Sequence, residues 1–265
     1  PQSEVMETLM ELKPWETTGM VVLQAESEIS FDQHGLRRRL DRQTGDDLLV
    51  EPRHQSDVRG AELSGRGRAS VPCRELPARR PGLGTIQPSQ GDYFQACKGG
   101  AHGDFHLIVL APNSVQEMHD FVGLAFDLAF KYRNPAMILA DGAIGQMMEK
   151  VVLPPFKPRR TEEEIAEECP WAANGHGLKK RGPQVITSLE LEPTKMEIKN
   201  LHLQEKYRQI KENEVRYETQ QLDDAEYVIV AFGSAARISQ KAMETARKQG
   251  LKVGIFRPIN LMALP

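Results

Sequence analysis

Two glutamates, Glu26 and Glu28, follow a short apolar run at Met20–Leu23, so a strand there would carry both carboxylates to the end of a sheet. A carboxylate so placed can move protons in general acid–base work, yet on residue type alone the pair reads as solvated. Gln90 and Asp92 stand in a glycine-rich stretch, where they either order a loop around a cofactor or subunit or form a turn. His102 lies among glycines, as an acid or base or as an imidazole that steadies its own loop. Asp141 precedes Gly142 at the end of an expected strand, the edge where α/β sheets bind ligands and equally a common tight-turn pair.

These residues need elements to hold them. Ser3 can cap a helix over Glu4–Leu12, and Pro81–Gly103 reads as a long glycine-rich loop lying over a binding surface. Leu107–Leu110 reads as a buried strand. Ser114 then caps a helix through Tyr132, with Glu117 completing a capping box and Val115, Met118, Val122, Ala125, Phe126 and Ala129 on its apolar face. Asn134-Pro135 ends that helix and Ala136–Leu139 forms the next strand. Strand, helix, strand is a parallel unit with helices on the sheet.

Further on, Lys, Glu, Pro and Gly dominate residues 156–222, which read as a solvated connector with one charged helix from about Glu197 to Gln220. A second unit comes next: strand Asp223–Phe232, turn Gly233-Ser234, helix Ile238–Gln249 and strand Lys252–Phe256. The expected class is α/β. A doubly wound domain spans 1–155, a linker spans 156–222, and an unfinished α/β domain occupies 223–265.

The 265 residues, 40% of them hydrophobic, suffice for one large or two modest cores. A net charge of −3 gives no general pull toward nucleic acid or membrane. The chain has no long apolar run and no secretory pattern, so the expectation is a cytoplasmic protein. Cys73, Cys97 and Cys169 are too far apart for a disulfide framework or a C-x-x-C site, which leaves any iron–sulfur cluster to another subunit.

Several blocks together resemble the alpha subunit of the 2-oxoacid:ferredoxin oxidoreductases, most closely the 2-ketoisovalerate (3-methyl-2-oxobutanoate) type. They are Pro81-Gly82-Leu83-Gly84, Gln90-Gly91-Asp92-Tyr93, Lys98-Gly99-Gly100-Ala101-His102-Gly103, Lys131-Tyr132-Arg133-Asn134-Pro135, Asp141-Gly142-Ala143-Ile144-Gly145-Gln146-Met147, Glu212-Asn213-Glu214-Val215-Arg216-Tyr217 and Arg257-Pro258-Ile259. The resemblance implies a pyrimidine-type thiamine-diphosphate-binding domain followed by the start of a transketolase-C-terminal-like domain. It implies oxidative decarboxylation of a branched-chain 2-oxoacid to an acyl-CoA and CO2, with 2-oxoglutarate as the alternative substrate. Thiamine diphosphate would be shared with a beta subunit. Magnesium and iron–sulfur clusters would sit on partner chains, among beta, gamma and ferredoxin-like delta subunits, with ferredoxin and coenzyme A as further partners. The glutamate that hydrogen-bonds the cofactor's pyrimidine ring matches Glu28, with Glu26 as the alternative; Gln90, Asp92 and His102 are the cofactor-binding candidates, and no metal ligand is assigned.

One stretch departs from the family. Residues 31–80 hold eleven of the twenty arginines and none of the fourteen lysines, and they lack Ile, Met, Asn, Tyr and Trp. A basic binding patch keeps lysine and is interleaved with folding signals. Codons available to Asp32-Gln33-His34-Gly35-Leu36-Arg37 read, one base later, Ile-Asn-Met-Val-Tyr, as in the family's helix. The same offset over Val58–Gly67 and Cys73–Arg79 gives further family-like stretches, the last resembling its buried strand. The residues after Leu261 repeat the pattern. Residues 31–80 are therefore expected to be frame-shifted and disordered, and the chain by itself to be an inactive, incomplete fragment.

Overall fold

The computed structural model describes residues 2–17, 72–75, 89–98, 105–155, 164, 167, 169, 171 and 189–264. Two short helices, α1 (Gln2–Leu12) and α2 (Pro14–Thr17), open the chain. The expected strand at Met20–Leu23 and most of residues 31–80 lie outside the described residues. Strand β1 (Pro72–Glu75) is the exception. It falls inside the stretch expected to be disordered, and it pairs in parallel with a central strand, Cys73 opposite Met137. Strand pairing is made by backbone groups, and Pro72 takes the first position of the strand, where proline is tolerated.

The first sheet is wholly parallel, in the order β1-β3-β2, with β2 at Ile108–Leu110 and β3 at Ala136–Leu139. Both β2 and β3 are buried throughout, which is why they read as continuous apolar runs rather than alternating ones. Between β1 and β2 the expected long loop is interrupted by helix α3 (Tyr93–Lys98), which buries Ala96 and Cys97 in the core. Helix α4 (Val115–Tyr132) joins β2 to β3. Its cap is Ser114, whose side chain accepts the Glu117 N–H at 3.2 Å. The Glu117 carboxylate reaches one residue beyond the usual box partner, accepting from Asn113 N at 2.9 Å. Met118, Phe121, Ala125, Leu128 and Ala129 are buried; Phe121 and Leu128 take the central places expected of Val122 and Phe126, which sit half-buried on the flank. Arg133 closes the helix in the left-handed region, φ 47°, just before Asn134-Pro135. Asp141 then caps the short helix α5 (Gly142–Gln146).

Helix α6 runs Pro193–Asn213, not Glu197–Gln220, and its C-terminal half is no solvated connector. Leu203, Tyr207 and Ile210 belong to the first unit's core, and Lys206 lays its stem along that surface while its Nζ donates to Arg133 O at 3.2 Å. The chain beyond Asn213 leaves the helix because Glu214 is drawn inward to Lys131, Tyr132 and Arg216, and Tyr217–Gln220 becomes strand β4 with alternating exposure.

The second sheet has the order β4-β6-β5, with β5 at Tyr227–Val230 and β6 at Val253–Pro258. β5 is parallel and β4 antiparallel to β6. Helix α7 starts at Gly233 rather than Ile238 and runs to Lys248. After β6 the chain crosses to the free edge of β2: Ala111 N donates to Ile259 O and Leu261 N to Val109 O, both at 2.8 Å. Leu261 and Met262 enter the same core as β2 and β3. Among the described residues, no helix is long and apolar enough to cross a membrane.

Candidate functional site

The segments leaving β3 and β5 each build one wall of a small cleft. From β3 come Leu139, Ala140 and Asp141; from β5 come Phe232 and Gly233; Ser89, Gln90, Asp92 and Tyr93 close the third side. The space is about 230 Å³ counted to its open mouth. Carboxyl ends of parallel strands are where α/β sheets present loops and helix N-termini to ligands.

Asp141 is 3% exposed and fully engaged. Its Oδ1 accepts from Ala143 N at 2.9 Å and Ile144 N at 3.1 Å, and its Oδ2 from Ser234 N at 3.3 Å. One carboxylate thus serves the starts of α5 and α7, the second of which has no side-chain cap of its own. Gln90 Nε2 donates to Phe232 O at 2.7 Å, and the Tyr93 and Phe232 rings lie 5.8 Å apart. Gly233 is required at this seam. Its φ is +58°, and a Cβ there would lie 3.1 Å from Gln90 Nε2.

Asp92 differs. It is 5% exposed, lines the cleft and lies at the start of α3, where an aspartate ordinarily caps, but among the described residues its side chain makes no cap hydrogen bond. The structure therefore brings together three residues flagged in the sequence, Gln90, Asp92 and Asp141. Glu26, Glu28 and His102 lie outside the described residues. Sequence reasoning missed Phe232 and Gly233 as the opposite wall. Their signal was positional: Phe-Gly-Ser comes after β5 as Ala-Asp-Gly comes after β3.

Around the cleft, ion pairs fix one unit on the other. Arg237 on α7 donates to Asn113 O at 3.2 Å and pairs with Glu149, whose carboxyl that pair and the Val115 N–H hold below its ordinary range. Arg257 on β6 is 3% exposed and grips Glu117 through both terminal nitrogens. Burial opposes the Arg257 charge, but Glu117 and Glu218 more than offset it and raise its pKa. Burial also pushes the Cys97 thiol up to about 12, against a smaller lowering by Lys98, so it stays protonated and is a poor metal ligand.

Residues 71–219 match a family model described as pyruvate flavodoxin/ferredoxin oxidoreductase, thiamine diphosphate-binding, and residues 225–265 match pyruvate:ferredoxin oxidoreductase core domain II. Ketoisovalerate oxidoreductase subunit VorB of Methanothermobacter thermautotrophicus is 45% identical over 216 residues, covering 78% of this chain and 58% of that protein. The VorB subunit of Methanothermobacter marburgensis matches to the same extent. 2-Oxoglutarate synthase subunit KorA of Methanocaldococcus jannaschii is 35% identical over 220 residues, covering 74% of this chain and 58% of that protein. In fold, the chain superposes over 100% of its length on 50% of a chain of the 2-oxoglutarate:ferredoxin oxidoreductase from Magnetococcus marinus, determined with 2-oxoglutarate, coenzyme A and succinyl-CoA bound. The TM-score is 0.75 at 19% identity.

Proposed function

Because the chain belongs to the pyruvate flavodoxin/ferredoxin oxidoreductase family, we propose that it is the alpha-type subunit of a ferredoxin-dependent oxidoreductase that converts a branched-chain 2-oxoacid to its acyl-CoA. The observation that carries the substrate class is the identity gap: 45% to the ketoisovalerate subunits against 35% to the 2-oxoglutarate subunit. The chain spans 58% of the length of those relatives, so the activity belongs to an assembly larger than these residues.

Thiamine diphosphate is the cofactor class of the matched family model. When bound, it supplies an electron sink for decarboxylation. The described cleft leaves only about 10 Å³ into which a water-sized group fits, too little for an aminopyrimidine ring. In this reading Glu28, or Glu26 as the alternative, would hydrogen-bond the pyrimidine ring and hold the proton exchanged there, and Gln90 fixes the glycine-rich stretch against the second unit through its bond to Phe232 O. His102 is kept as a residue near the cofactor. Magnesium and iron–sulfur clusters belong to beta and ferredoxin-like partner chains, in a cytoplasmic complex that uses ferredoxin and coenzyme A. The meeting of the two matched stretches between residues 219 and 225 supports a domain change there. Ferredoxin reduction by the reconstituted complex, followed spectrophotometrically with 3-methyl-2-oxobutanoate and with 2-oxoglutarate, tests the substrate. Preference for 2-oxoglutarate overturns the branched-chain reading, and undiminished activity in Glu28→Gln and Glu26→Gln overturns the proton role.

A second reading, an inactive product, is favoured by one observation: the family model begins at residue 71, leaving most of the arginine-rich stretch unmatched. Here the unmatched part of residues 31–80 is translated one base out of frame, while residues 71–80 fall inside the matched stretch. Independent sequencing of the coding DNA tests it. Codons for Asp32–Arg37 that cannot yield the family helix one base later remove the frame explanation, and a melt that shifts upward with thiamine diphosphate removes the inactive one.

A further inference from the structure

We propose that this chain pairs with a second copy of itself through the outer edge of β5, so that the second sheets of the two copies become one. The inference stands apart from the proposed reaction and rests on the strand's own residues. Among the described residues β5 is paired only on its β6 side. Tyr227, Val228 and Val230 are 62%, 52% and 68% exposed. The edge sequence Tyr-Val-Ile-Val holds no charge, proline or glycine, and charge and proline are the devices by which sheet edges ordinarily resist pairing. One face of the strand is covered, since Ile229 packs with Val253, Ile255 and Met243 of α7. On the other, Val228 and Val230 continue an apolar surface made by Phe256 and the Tyr217 ring stacked on it at 5.2 Å.

Backbone direction and symmetry decide how two copies meet. Tyr227 N and Ala231 N donate to Lys252 O and Phe256 O, so alternate residues turn toward β6, and Val228 and Val230 present their N–H and C=O groups outward. A two-fold axis normal to the sheet keeps the apolar faces on one side only when it passes through a residue. Through Val228 it sets Glu226 against Val230 of the second copy, and through Val230 it requires Phe232, whose carbonyl Gln90 already holds. Through Ile229, Val228 meets Val230 of the other copy and exchanges both bonds with it, Ile229 meets its own mate, and Tyr227 lies opposite Ala231. That register is uncharged along its length, and Asp224 and Glu226 just before it are paired with Arg247 and Lys252. The strand is thus its own complement, which is why the occupant is a second copy rather than an unlike chain. So short a seam falls well below the roughly 20–30 residues a side of a standard interface, and the dimer is weak and concentration-dependent.

Sedimentation velocity of the purified full chain at about 1–300 µM, the range suited to a small interface, tests this. The average mass is expected to rise reversibly from one chain toward two. Val230→Pro removes an outward N–H and leaves the β6 ladder intact, so it should weaken the dimer about tenfold with an unchanged circular dichroism spectrum. Val228→Lys with Val230→Lys sets lysine against lysine in both cross-strand pairs and should weaken it by about tenfold or more. Val228→Lys with Val230→Glu sets lysine against glutamate and should restore association to within about threefold of the wild type. A chain that stays monomeric, growth past the dimer, a dimer insensitive to Val230→Pro, or equal association of the two double variants overturns the proposal.

Discussion

Arg257 and Glu117 form a two-pronged ion pair, Nη1 to Oε2 at 2.8 Å and Nη2 to Oε1 at 2.6 Å, that joins the end of β6 to the first turn of α4. The same Glu117 carboxylate accepts the Asn113 N–H, so the pair also holds the loop leaving β2. Removing one partner of a buried pair leaves the other uncompensated, which typically costs 3–5 kcal/mol; Glu117 retains some solvent, which places the loss near the lower end, about 3 kcal/mol. Arg257→Leu should therefore lower the unfolding free energy of the purified chain by that amount in urea. Arg257→Lys should recover only part of it, because an ammonium cannot reproduce the planar fork. A loss below about 1 kcal/mol for Arg257→Leu would show that the two units do not depend on this contact.

Glu214 gives the structure an acid-side limit. Burial by itself would push its pKa up, but Lys131 Nζ and Tyr132 OH, each at 2.7 Å, and Arg216 at 2.9 Å hold it below the ordinary 4.5. A depressed folded pKa contributes stability above the unfolded value and loses it as pH falls through the folded one. Stability should accordingly decline as pH drops below about 4.5, and Glu214→Gln should be less stable at neutral pH yet show a flatter acid slope. Urea titrations at a series of pH values between neutrality and pH 3 decide this, and parallel curves for the two proteins would contradict it.

The elements and the site were legible to different degrees for physical reasons. Helix α4 and strand β3 were readable because cap, period and stop signal agree within a few residues: Ser114 and Glu117 at the start, Asn134-Pro135 at the end, four buried residues in β3. Strand β4 was misread as helix because the Lys- and Glu-rich run continues to Glu212, and only the inward pull on Glu214, made by residues some eighty positions earlier, ends it. Gln90, Asp92 and Asp141 were visible as polar residues beside glycines. Their meeting with Phe232 was not, since the Gln90 bond spans 142 positions and no local spacing encodes it.

Asp141 was equally readable as a turn former, and the structure makes it a cap shared by two helices. Its replacement by alanine leaves three backbone N–H groups without an acceptor, at Ala143, Ile144 and Ser234. The expected loss is about 1–2 kcal/mol, the upper range for one cap, because two helix starts lose their acceptor together. Asp141→Asn keeps an oxygen for α5 and should lose less than half as much. Chevron or equilibrium denaturation of the two variants separates the cases, and equal losses would mean that charge, not the hydrogen bonds, is what Asp141 contributes.

Two glycines test whether the seam between the units is as tight as its geometry requires. Gly233 has φ +58°, a conformation that costs an L-residue roughly 1–2 kcal/mol, and its new methyl would stand 3.1 Å from the Gln90 nitrogen that holds Phe232 O. Gly233→Ala should thus destabilise by about 2 kcal/mol, with strain and the displaced hydrogen bond adding. Gly123 lies mid-helix in α4 with nothing within 4 Å of the position a Cβ would take. Gly123→Ala should stabilise by about 0.5–1 kcal/mol, since alanine loses less backbone freedom on folding and meets no neighbour. The opposite signs are the measurement. If both substitutions stabilise, the left-handed start of α7 relaxes freely and Gln90 does not fix the second unit to the first.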